Sequence, residues 1–148
     1  MSIRSTHKAY LKSQIEQITF ESTNLVADVH YNSLSVSDPY VFIQSQEVTM
    51  PLLDNRTYDM KYNYTVTYVF QILPDESDPM QEIRSDVLEG LLLTKLRSEE
   101  VRDNSADPNW MDLTVTSVSA PYSPDDSGED GTIAKTITVE VFAVELLD

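Results

Sequence analysis

Cysteine is absent from this chain of 148 residues, which excludes a disulfide framework, a thiol nucleophile and any thiolate metal site. Glycine is almost as scarce. Gly90, Gly128 and Gly131 are too few and too scattered for a loop that cradles phosphate, and neither a nucleophile elbow nor a Walker pattern occurs. The two histidines, His7 and His30, have no second histidine at ligand spacing and read as incidental surface or half-buried side chains. Long apolar runs are missing as well. The first twenty residues, MSIRSTHKAYLKSQIEQITF, are polar and charged throughout, so the sequence predicts no signal peptide and no membrane span. Basic residues are the last deficit: 10 Lys and Arg stand against 25 Asp and Glu, and a formal net charge of −15 disfavours a grip on a nucleic-acid backbone.

What is present is organised around Lys61 to Arg97. Tyr62, Tyr64, Val66, Tyr68, Phe70 and Ile72 recur with a period of two, which puts large side chains on one face of a strand. Asn63, Thr65 and Thr67 begin the other face, followed by Val69 and Leu73, so cover on both sides is expected only toward the strand's end. Pro74 stops the ladder because it has no N–H to donate. A helix then starts with Asp78 as N-cap, Pro79 at the first helical position, Gln81 three residues after the cap and Glu82 in the positive first turn. At about 100° per residue, Met80, Ile83, Val87, Gly90, Leu91 and Thr94 share a broad stripe, predicted to lie on the sheet. Gly90 within it costs roughly 1 kcal/mol relative to alanine, which predicts a close approach of helix to sheet. A second row, Leu88, Leu92 and Leu96, exceeds what one sheet covers, so it meets either the N-terminal helix or another subunit. As a subunit contact, that row predicts that Leu92→Asp disrupts assembly more than folding.

The remaining elements read less sharply. The length suits one domain, large enough to bury roughly two-thirds of the surface its unfolded form exposes. Leu11, Ile15 and Ile18 predict a short amphipathic helix over 6–18, and 20–34 reads as an irregular or weak strand segment. Tyr40 to Thr49 reads as a strand with Val41 and Ile43 on one face and Tyr40 and Phe42 on the other. Residues 50–60, MPLLDNRTYDM, read as a long hairpin arm in which Leu52, Leu53, Arg56 and Tyr58 are candidates for partner contact. Trp110 to Ser119 reads as a strand with Met111, Leu113 and Val115 inward and a bulge near Val118. Residues 121–131, PYSPDDSGEDG, read as an acidic mobile loop, and Thr132 to Leu147 as the last strand, apolar on both faces in its second half.

Chemistry has little to work with. The loop Asp125 to Gly131 is rich in oxygen ligands but fails the EF-hand register, and Glu99 and Glu100 lie in a charged connector where nothing would raise a carboxyl pKa. No catalytic residue, cofactor or metal is expected. The predicted class is α+β: a mostly antiparallel sheet of about four strands with helices packed on one face, in the order helix-strand-strand-helix-strand-strand.

Four segments in this order carry a resemblance: DPYVFIQSQEVTM from Asp38, LLDNRTYDMKYNYTVTYVFQIL from Leu52, SDPMQEIRSDVLEGLLLTKL from Ser77 and TIAKTITVEVFAVELL from Thr132, after a polar N-terminal helix. Together they resemble the tail terminator (tail completion) proteins of long-tailed bacteriophages. The resemblance implies a virion protein of the tail or neck, assembled in the host cytoplasm, that forms a hexameric ring on the finished tail tube. Such a ring ends tube polymerisation and offers the surface that joins tail to head. The implied partners are further copies of the chain, the tail tube protein and a head-tail connector protein, with DNA passing through the ring without specific binding. An acidic lining agrees with that passage, because like charges repel. The alternative reading is an acidic protein-binding module of the DNA-mimic type that sequesters a basic partner, against which stands the clustering of acid in loops.

Overall fold

In the computed structural model of the chain, residues 2–32, 38–49, 57–71, 78–103, 110, 112–122 and 132–146 are described, with the backbone course alone for 57–59, 78–79 and 145–146. Helix α1 (Ile3–Ile15) is set by its cap: the Ser2 Oγ accepts the Ser5 N–H at 3.1 Å, three residues before the expected start. It also stops three residues early. The N–H of Gln17 and of Ile18 bond back to the carbonyls of Gln14 and Ile15, tightening the last turn, and Ile18 enters the core from beyond the helix.

The main sheet contains β3 (Val26–Asp28), β4 (Tyr40–Thr49), β5 (Thr57–Gln71), β7 (Thr132–Leu146) and β6 (Asp112–Val118), in that spatial order. Strand β5 carries the expected alternation, with Met60, Tyr62, Tyr64, Val66, Tyr68 and Phe70 buried on one face. Its register places Val66 between Ile43 and Ile137, and Tyr64 beside Val139, so each strand supplies the wall of the next. Burying each such side chain contributes on the order of 1.5–3 kcal/mol. Helices α1, α2 (Asp78–Leu96) and the short α3 (Glu99–Arg102) cover this face, where Leu11, Ile15, Leu88, Leu92, Leu96, Val101 and Trp110 join the strands in one cluster. Trp110 is fixed by its indole N–H donating to the Val101 carbonyl at 2.7 Å.

Two bulges bend the sheet's flanking strands. In β6 the register shifts between Val115 and Ser117, as its change of parity predicts. In β4 the shift sets Gln46 and Glu47 against Asn63 alone. The Arg4 side chain donates to the carbonyls of Gln46 and Asn63 while lying 5.3 Å over each of the Tyr62 and Tyr64 rings, so α1 grips the sheet at its bulge.

The expected fold class requires correction. Among the described residues the sheet has five strands and is mixed, since β3 lies parallel to β4; β1 (Thr19–Phe20) and β2 (Thr23–Asn24) form a separate two-stranded sheet, and the helices are three and minor. The missed strands fall in 19–28, where alternation lasts for only a few residues, Leu25 and Ala27 being buried while Val26 is exposed, and the missed helix, α3, is a single turn inside the expected charged connector. After β3 the chain passes over the face opposite the helices, where the Tyr31 ring meets Phe42 edge-on at 5.2 Å and Tyr40 accepts the Asn32 N–H.

Candidate functional site

Helix α2 presents two apolar rows, and the sheet takes the one not expected there. Leu88, Leu92 and Leu96 are fully buried with Ser85, whereas Met80, Ile83 and Val87 are 54%, 62% and 50% exposed, with Leu91 half-buried beside them. Two cross-links set this rotation. Tyr68 Oη donates to the Ser85 carbonyl at 3.0 Å and sits 3.0 Å from its Oγ, and Lys135 Nζ donates to Glu89 at 2.9 Å with Asp86 at 3.6 Å. Burial alone would lower the Lys135 ammonium, but the Glu89 hydrogen bond and neighbouring charges outweigh it, and its pKa lies above the ordinary lysine value.

Several sequence expectations change accordingly. Leu88, Leu92 and Leu96 lie in the chain's own core with Leu11 and Ile15 of α1, so they offer no surface to another chain. Gly90 does not mark a close approach: a Cβ added there meets nothing within 4 Å. Leu52, Leu53 and Arg56 lie outside the described residues, as do 123–131 of the acidic loop. Tyr58 belongs to β5, opposite Glu145, with its backbone alone described. Glu99 and Glu100 are exposed in the first turn of α3, and His30 is exposed.

The exposed row forms a ridge between two shallow grooves. On one side a groove of about 350 Å³ is lined by Thr19, Phe20, Glu21, Ile83, Arg84, Val87 and Leu91. Its wall is the β1–β2 hairpin, whose two turn residues, Glu21 and Ser22, have φ of 51° and 69°. That turn aims Glu21 at α2, where Arg84 Nε donates to its carboxylate at 2.7 Å; the same guanidinium lies 5.0 Å over Phe70 and donates to the Gln71 carbonyl. On the other side a groove of about 300 Å³ is lined by Gln81, Glu82, Asp86, Pro121, Ile133 and Lys135. Acid outnumbers base around the ridge.

His7 is the other feature that sequence reasoning placed wrongly. It is buried, its Nδ1 2.7 Å from Tyr64 Oη, with the rings of Tyr62, Tyr64 and Trp110 edge-on at 5.1–5.7 Å. Burial pushes the Tyr64 phenol up, with opposing pull from Arg4. This cluster docks α1 onto β5, and its signal was the spacing of His7 four residues from Leu11, one helical turn on the same face. Among the described residues, no three His, Asp or Glu side chains are grouped to hold a metal ion, and no helix is long and apolar enough to cross a membrane. The arrangement around α2 is suited to docking another chain. No protein-family model matches the sequence, and no curated protein matches it.

Proposed function

We propose that the chain is a non-enzymatic structural subunit that works through protein contacts, a ring protein of the tail terminator kind that closes a phage tail tube and offers a surface for joining the head. The observation that carries the reading is the ridge Met80, Ile83 and Val87: large apolar side chains held half or more exposed on a helix whose rotation is locked from beneath. An exposed apolar row of this kind marks a site of association. Its partners in this reading are further copies of the chain, the tail tube protein and a head-tail connector, and the net charge of −15 lets DNA pass without adhering. Its place is the tail or neck of the virion. Sedimentation velocity at high concentration, with negative-stain images of purified tail tubes mixed with the protein, tests this. Rings on tube ends are expected; a chain that stays monomeric and leaves every tube end open overturns the reading.

A further inference from the structure

We infer that the segment seated on the α2 ridge is a basic amphipathic helix of a different protein and not a second copy of this chain; the inference rests on the ridge being a contact surface. The charged residues that line its two grooves, together with Glu89, are four carboxylates (Glu21, Glu82, Asp86 and Glu89) and two cations. Both cations are already engaged: Arg84 with Glu21 at 2.7 Å, and the buried Lys135 with Glu89 at 2.9 Å and Asp86 at 3.6 Å. A second copy docking through the same ridge would set Glu82 and Asp86 against their own counterparts, and like charges across an interface raise its free energy, so the ring contacts of the proposed function are left to other faces.

Shape points to a helix. From Met80 to Leu91 the ridge runs roughly 16 Å at the α-helical rise, which matches about three turns of a partner lying alongside. The partner's apolar residues would enter the two grooves against Phe20, Ile83, Val87 and Ile133. Lysine or arginine on its flank would stand beside Glu82 and Asp86, which are exposed.

The test uses the whole protein and two labelled synthetic helices of 18 residues, one amphipathic in Leu and Lys, the other with Glu in place of Lys, read by fluorescence anisotropy. The Leu-Lys helix is expected to bind and the Leu-Glu helix to fail. Ile83→Ser with Val87→Ser should weaken binding roughly tenfold or more, since truncating central apolar anchors has effects of that size. Glu82→Gln should weaken it and reduce its dependence on salt, and because Glu82 is exposed and the ion pairs of Lys135 run to Asp86 and Glu89, this variant keeps the test valid if Asp86→Asn disturbs the fold. Sedimentation of the Ile83→Ser, Val87→Ser protein should match wild type. Equal binding of the Leu-Lys helix to wild type and to the ridge variant, binding of both peptides alike, or no binding of either overturns the inference. So does loss of self-association in the ridge variant, which would make a second copy the occupant. A protein that binds the basic helix at the ridge yet caps no tail tube keeps this inference and loses the phage assignment.

Discussion

Gly90 and Leu92 sit two residues apart on α2 and face opposite fates. At Gly90 a Cβ meets open space, so Gly90→Ala removes backbone entropy from the unfolded chain without a clash and should raise stability by about 0.5–1 kcal/mol in urea titration. A loss would mean that the helix approaches another surface there. Leu92 is fully enclosed by the core, and Leu92→Asp places a carboxylate where it has no water and no partner. That substitution should cost more than about 4 kcal/mol and unfold the chain, whereas Ile83→Asp, on the exposed ridge, should shift stability by less than about 0.5 kcal/mol. Circular dichroism of the two variants separates a core row from a surface row directly.

The β1–β2 hairpin is the strained element. Of the two-residue turns that suit strands twisting to the right, the one found here has positive φ at both central positions, Glu21 and Ser22, neither of them glycine. Holding an L side chain in that region costs on the order of 1 kcal/mol or more per residue. Glu21 repays part of this through Arg84, while the Ser22 side chain is exposed. Ser22→Gly should therefore stabilise the protein by roughly 0.5–1 kcal/mol, read from the urea midpoint. If the midpoint falls, the turn is not of this type in solution.

For the molecule as a whole, alkali is the expected weakness. Burial raises the phenols of Tyr10, Tyr40, Tyr64 and Tyr68, Tyr40 to about 12, and Lys135 is held above its ordinary value despite burial by Glu89 and its neighbours. Each group keeps its proton more firmly folded than unfolded. Their contribution is complete below the unfolded values of about 10 and is lost as pH climbs through the folded ones, so stability should fall between about pH 10 and pH 12. Urea midpoints at about pH 8, 10 and 11 check this, with Tyr40→Phe flattening the decline; a midpoint level to pH 11 would show that these phenols are solvated.

Much of the sheet was legible because its cause is local. A period of two over β5 and β7 and the parity change in β6 depend on neighbours in the chain, and β5 shows its buried face as expected. The short strands in 19–28 were not legible, since two or three residues carry too little periodicity to separate strand from helix. The ridge was half legible. By itself the sequence determined that α2 has two apolar rows, because helical geometry alone places Met80, Ile83 and Val87 apart from Leu88, Leu92 and Leu96. Which row meets water was decided only in the folded molecule, by contacts between residues distant in the chain. Lys135, at an inward position of β7, needs the carboxylates of Asp86 and Glu89; Tyr68 needs Ser85; and the uninterrupted leucine row buries more apolar surface than a stripe broken by Gly90 and Thr94.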